Sequence, residues 1–234
     1  MANTSTQETN DLNDDSAEAR RSALSREEIV NTALELVSAE GLAAVTMRRL
    51  ADRIGVTPMA LYHHVPNKSD LLDLVVNQVG RHLQIARDGR PWTEQIRSYA
   101  LEWRDELHRF PGVAGYLMHQ NAPPTLSWRI IDDATSVMIE AGLDERQAAR
   151  AFAGLVNFVL ARCDQEERMG LLDTHSSNAW NVEELTEDMK AEMPELHHHV
   201  DVGRVAMYVG ELSADEHFTY MLDCILVGID ADRR

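Results

Sequence analysis

Residues 46–68, TMRRLADRIGVTPMALYHHVPNK, hold two short helix patterns joined by one tight glycine turn, and few folds accommodate such a layout. The first pattern starts at Thr46, places Leu50, Ala51 and Ile54 on one face and stops at Gly55. The second opens with Thr57 as N-cap and Pro58 at the first helical position, where a missing N–H is harmless, and turns Leu61 and Val65 inward. Pro66 and Asn67 end it. Two helices this short, linked this tightly, read as a helix-turn-helix whose second helix enters the DNA major groove.

The flanking sequence is helical in period as well. Ser25-x-x-Glu28 is a capping box opening a helix with Ile29, Ala33, Leu34, Leu36 and Val37 on its apolar face, and Gly41 closes it. Beyond Lys68 a longer helix is expected through Leu71, Leu72, Val75, Val79 and Leu83, over 68–84, before the Gly89-Arg90-Pro91 break. Further helices are expected over 92–110, over 125–141 and from the capping box Asp144-x-x-Gln147 to about residue 168, with a short segment over 113–120 before Pro123 and Pro124. Residues 173–186 read as loop, and helical patterning resumes over 187–210 with an interruption at Pro194. The capping box Ser213-x-x-Glu216 opens a last helix burying Phe218, Met221, Leu222, Ile225, Leu226 and Ile229. No segment alternates with period two over a useful length, so the fold is all-α. The expected organisation is a disordered, acidic tail over 1–21, a three-helix DNA-binding domain over 22–68, and a larger helical domain over 69–234, to which the resemblance given below assigns effector binding and dimerisation.

A net charge of -17 runs against DNA binding until its distribution is considered. Residues 20–68 carry seven basic and five acidic side chains, whereas 69–234 carry 15 basic and 29 acidic ones. The net-basic part coincides with the helix-turn-helix. An acidic body serves solubility and repels non-specific DNA. No apolar run approaches the ~18 residues that a membrane span needs, and the two cysteines, Cys163 and Cys224, lie in no metal-ligand spacing. A cytoplasmic protein without a membrane partner is expected.

Residues able to meet DNA are Thr57, Pro58, Met59, Ala60, Tyr62, His63 and His64 on the second helix, Arg48 near the start of the first, and Lys68 beyond the break. Thr57 can cap its helix and bond a phosphate, Met59 and Ala60 suit a thymine methyl, Tyr62 and His64 can bond phosphate, and His63 can reach a base edge. Long bidentate donors are few, so useful specificity requires two half-sites. Glu40-Gly41, Thr46-Met47-Arg48-Arg49-Leu50-Ala51, Ile54-Gly55-Val56 and the run 61–72, LYHHVPNKSDLL, resemble the tetracycline-repressor (TetR) family of bacterial transcription regulators over about 25–79. That resemblance implies an all-α homodimer, a palindromic double-stranded DNA operator, and release, most often from repression, when a small-molecule effector enters the larger domain.

The body resembles the tetracycline-repressor subgroup through Trp92, Arg97, Gly142 and the run 157–166. Where that subgroup holds drug and magnesium with polar residues, this chain has Gln84, Tyr99 and Met118, with His82 and His119 nearby, so neither tetracycline nor magnesium is implied and no cofactor or metal is expected. What remains is a set suited to an apolar or aromatic ligand: Tyr99, Trp103, Tyr116, Met118, Trp128, Phe152 and Phe158 as walls, with His119, Asn157 and Arg162 as polar anchors. The resemblance places the homodimer contact on the helices over 144–168 and 213–230. Control by a protein partner without an effector is the alternative. His197-His198-His199 is no metal site on a helix, because consecutive side chains point about 100° apart. A helical carboxylate metalloenzyme needs two Glu-x-x-His motifs, and Glu195-x-x-His198 stands alone, so no catalytic residues are assigned.

Overall fold

The structure is a computed structural model describing residues 24–119, 125–170 and 212–233, the side chains of 125–127 excepted. No strand occurs among the described residues. The helices are α1 (Arg26–Glu40), α2 (Met47–Ile54), α3 (Pro58–Tyr62), α4 (Lys68–Val76), α5 (Trp92–Arg109), α6 (Val113–Met118), α7 (Thr125–Glu140), α8 (Glu145–Arg168) and α9 (Ala214–Asp232), with a 3-10 turn at Leu42–Ala44. The expected tail over 1–21, the loop over 173–186, the patterning over 187–210, Pro123, Pro124, Pro194, Glu195 and the histidines 197–199 lie outside the described residues. The chain divides into two compact units, Met1–Leu83 with Arg109–Ile130, and Gln84–His108 with Ile131–Arg234.

In the first unit, side-chain caps set where α1, α2, α3 and α4 begin. Ser25 Oγ accepts from Glu28 N at 3.0 Å, Thr46 Oγ1 from Arg49 N at 3.2 Å, Thr57 Oγ1 from Ala60 N at 3.3 Å, and Asn67 Oδ1 from Asp70 N at 2.9 Å. Each occupies a backbone donor that the first helical turn leaves without a partner. Gly55 ends α2 in the left-handed region at φ 82°, ψ 35°, a conformation that only glycine adopts without strain and one that turns the chain straight into α3. Ile29, Ala33 and Val37 of α1, Leu50 and Ala51 of α2, Leu61 and Val65 around α3, and Leu71, Val75 and Val76 of α4 form the closed core.

The fourth helix is shorter than its periodicity predicts. It stops at Val76, and the N–H groups of Gln78, Val79, Arg81 and Leu83 donate to carbonyls three residues back, a succession of turns containing Gly80 at φ 71°. Val79 is still buried, which is why the apolar pattern persists past the helix end. Residues 109–119 rejoin this unit: Leu42 N donates to Pro111 O at 2.8 Å, and the Tyr116 hydroxyl donates to Asp73 Oδ1 at 2.9 Å. Gly112, at φ 88°, is required twice over, because a Cβ there would meet Leu42 Cβ at 2.9 Å.

The second unit is built around α5, α8 and α9. Asp144 and Ser213 open α8 and α9 with complete capping boxes. Along α5, Trp92 Nε1 donates to Asp230 at 3.2 Å, Arg97 Nε to Asp223 at 2.7 Å and Arg104 Nη1 to Asp215 at 2.7 Å. The α5 positions rise as their α9 partners fall, so the two helices run antiparallel. At the inner end of this ladder Glu166 of α8 has no exposed surface and accepts from Arg104 Nε at 3.0 Å and from Arg162 Nε at 2.8 Å. His108 Nε2 lies 2.9 Å from the same carboxylate, a contact that becomes a hydrogen bond in the Nε2–H tautomer or the imidazolium. Phe218 of α9 lies beneath, with the Arg104 guanidinium 4.7 Å above its ring and the Phe158 ring 5.1 Å away.

Burial by itself would raise the Glu166 carboxyl, but hydrogen bonds from His108 and Arg104 and the charges of Arg104 and Arg162 outweigh it and hold the group below its ordinary value of 4.5. Its contribution to stability is therefore complete above pH 4.5 and is lost as pH falls below that value. His217 is held below its ordinary 6.5, first by burial and then by the Arg162 charge, so protonating it on the way down from pH 6.5 also works against the fold.

Glu166→Gln keeps the shape but leaves the buried Arg162 guanidinium without its counter-charge and Arg104 with only the half-exposed Asp215; urea denaturation at pH 7 should show a loss of about 3–5 kcal/mol. Replacing Arg104, Arg162 and Glu166 together by apolar residues of similar volume should cost less than that single change. Between pH 7 and pH 5 the urea midpoint of the parent protein should fall more than that of His217→Gln, and parallel slopes would remove His217 from the account.

Candidate nucleic-acid interface

Helix α3 has five residues, and its two faces differ sharply. Leu61 is fully buried, whereas Met59 is 68% and Tyr62 45% exposed. Large apolar and aromatic side chains left open beside a closed core form a contact surface. Thr57, Pro58 and His63 are also exposed and His64 is half-buried. Ala60 corrects the expectation for this helix. It is 6% exposed, its methyl closes the core beside Leu61, and it has almost no surface to offer a base. The pattern misled because α3 is too short for its apolar stripe to be distinguished by period.

Charge is more restricted here than the basic count suggests. Arg49 is paired with Glu40 at 2.7 Å and Arg53 with Glu35 at 3.6 Å. Arg26 directs Nε and Nη2 to the carbonyl of His64, at 3.2 and 3.1 Å. Arg48 on α2 and Lys68 at the start of α4 are exposed and have no ion-pair partner among the described residues. These two cations sit on the helices that precede and follow α3 in the chain. The contact at the His64 carbonyl was missed, because no spacing rule connects an arginine to a backbone oxygen 38 residues away.

The residues expected to hold a ligand fall in both units. In the first, Tyr116 is half-buried with its hydroxyl bound to Asp73, and Met118, His119 and Trp128 are exposed. In the second, Tyr99 and Trp103 are buried one turn apart on α5, and Phe152 is half-buried on α8. Three others already have partners or a different outlook. Arg162 holds Glu166, although its Nη2 is buried without a hydrogen-bond partner; Phe158 packs on Phe218; and Asn157 lies on the exposed face of α8 with Ala153, Gly154 and Ala161. The second unit also carries two open surface grooves, of about 490 Å³ along Thr93, Arg97, Asp223 and Val227, and of about 450 Å³ along Arg87, Trp92, Glu140 and Arg233. Neither is lined by any of the ten expected ligand residues.

His108, Cys163 and Glu166 bring ligand-type atoms within 4.8 Å of one another. The surroundings disfavour a cation: both carboxylate oxygens face guanidinium groups, and burial followed by the Glu166 charge pushes the Cys163 thiol up to about 12.

Comparison with known proteins agrees with this geometry. Residues 29–75 match the family described as bacterial regulatory proteins, tetR family, and residues 86–233 match the tetracyclin repressor-like C-terminal domain. The tetracycline repressor protein class D of Escherichia coli is 30% identical over 154 residues, covering 64% of this chain and 70% of that protein. The HTH-type transcriptional repressor DrrR1 of Streptomyces coeruleorubidus is 26% identical over 225 residues, 88% of this chain and 77% of that protein. Among solved structures, the Streptomyces coelicolor TetR family protein ActR in complex with actinorhodin superposes with a TM-score of 0.75 at 24% identity, over 90% of this chain and 98% of that one. With matches over both parts of the chain, and with relatives that are transcriptional regulators and not enzymes, this protein belongs to the TetR family of DNA-binding regulators.

Proposed function

We propose that this regulator is a repressor that binds a palindromic operator in the cytoplasm as a homodimer, and that a small apolar or aromatic ligand releases it. The observation carrying the DNA-binding part is the exposed surface of α3, Met59, Tyr62 and His63, with the exposed cations Arg48 and Lys68, which have no ion-pair partner among the described residues, on the helices before and after it. The support for a dimer is a set of exposed residues on α8 and α9 among the described residues. On α9, Tyr220 (66% exposed), Cys224, Val227 (70% exposed) and Gly228 recur at helical spacing, and on α8 the small residues Ala153, Gly154 and Ala161 do the same. A Cβ at Gly154 or Gly228 would meet nothing within 4 Å, so a second helix pair can approach closely. Two-fold symmetry then sets the spacing of the two α3 helices against the half-sites, about 34–36 Å or a multiple. An effector releases DNA only through different affinities for the two spacings, as linkage requires. Phe152, half-buried on α8, offers apolar surface to such a ligand, whereas Tyr99 and Trp103 are closed into the core. The repressors and the actinorhodin complex among its relatives favour a small-molecule effector over a protein partner.

The deciding experiment is fluorescence-anisotropy titration of DNA from around the protein's own gene, with scrambled DNA as competitor. Lys68→Ala should weaken binding to both DNAs and reduce the slope of log affinity against log salt by about 0.9 per protomer. Arg48→Ala should also weaken operator binding, and an unchanged affinity would remove that residue from the interface. Val227→Glu places a charge on that exposed face and should shift sedimentation from dimer to monomer, with loss of tight operator binding. A variant that stays dimeric would move the interface elsewhere.

A further inference from the structure

The reading helix does not have the internal bonds to hold its own direction. A helix of five residues, Pro58–Tyr62, closes barely one turn of hydrogen bonds, well below the length at which helices persist alone. Thr57 secures its beginning and Ala60, Leu61 and Val65 press one face into the core. Its end is closed by His64 N and Val65 N, both donating to Leu61 O at 2.9 Å. The chain then leaves through His63 and His64 toward Pro66, which has no N–H for the carbonyl of Tyr62 or His63. The His64 carbonyl itself accepts from Arg26, in the first turn of α1, through Nε at 3.2 Å and Nη2 at 3.1 Å. Two N–H groups of one planar guanidinium closing on a single oxygen constrain that oxygen in direction as well as distance, which an ammonium does not do.

We propose that Arg26 is a positioning residue for DNA recognition: by holding the His64 carbonyl it sets the exit of α3 and so the aim of Tyr62 and His63. Arg26 acts through the backbone, and its charge is used within the protein. This inference rests on α3 being the helix that reads DNA. It separates Arg26 from Lys68, which has no such internal acceptor among the described residues and acts by its charge.

The test uses the full-length protein, an operator fragment selected from random DNA and a scrambled fragment of equal length, each titrated over a salt series. Arg26→Met and Arg26→Lys should both reduce the operator-to-scrambled affinity ratio by about tenfold, leaving scrambled-DNA affinity and the salt slope unchanged. The double variant Arg26→Met with His63→Ala should lose less than the product of the two single losses, since both disturb one contact set. Circular dichroism and melting of each variant check folding; Arg26→Lys, which keeps charge and length, serves if Arg26→Met melts early. Equal loss on both DNAs, a slope reduced by about 0.9 and rescue by lysine would make Arg26 a phosphate contact and overturn the proposal. An unchanged affinity ratio in both Arg26 variants would overturn it too. If Tyr62→Ala and His63→Ala leave operator affinity intact, the reading of α3 fails and the proposal with it; if they weaken binding while Arg26→Met does not, Arg26 alone is at fault.

Discussion

A carboxylate removed entirely from water has to be neutralised where it stands, and Glu166 imposes that condition on the whole second unit. Two guanidinium groups meet it, one from the same helix four residues away and one from α5. The α5 guanidinium then reaches a second carboxylate, Asp215, in the first turn of α9, where a negative charge is also favoured by the helix dipole. One buried charge thus determines which three helices meet, and Phe218 with Phe158 fills the space beneath. Such a network is often no more stabilising than an apolar core of equal volume, but breaking one member of it leaves a buried charge uncompensated.

In the first unit the constraint is brevity. Helices α2 and α3, of eight and five residues, are held by caps and by a shared core more than by their own ladders. This is where sequence is most informative, since Thr46, Thr57, Pro58 and Gly55 act locally and each has its effect within four residues. The starts of α1, α2, α3, α8 and α9 follow from these signals, as do the residues that close the DNA-binding core.

What was not legible depends on distance or on direction. Arg104 and Glu166 are 62 residues apart, and charged side chains on amphipathic helices read as solvated until a partner is seen. Arg162 and Phe158 were therefore expected to face a ligand, when they face Glu166 and Phe218. Asn157 shares their helix but not their side, which a position in a run of residues does not reveal. Turns with Val79 buried preserve an apolar rhythm that helices also show, so periodicity predicts a fourth helix longer than the one observed. A single methyl suits either side of a short helix, so the sequence leaves the direction of Ala60 open to error.

The antiparallel ladder between α5 and α9 is not uniform along its length. Arg104 is buried at one end, whereas the Arg97 and Asp223 side chains are 37% and 48% exposed and attract each other weakly through water. Helix α9 is nevertheless fastened again beyond that pair: Trp92 reaches Asp230, Gln147 and Arg150 reach Asp232, and Arg233 reaches back to the carbonyl of Ala141. Sliding the helix by one residue, about 1.5 Å, would break both anchorages at once. The open surface of Val227 and Gly228 is thus carried on a helix pinned in register at its two ends, a rail more than a hinge.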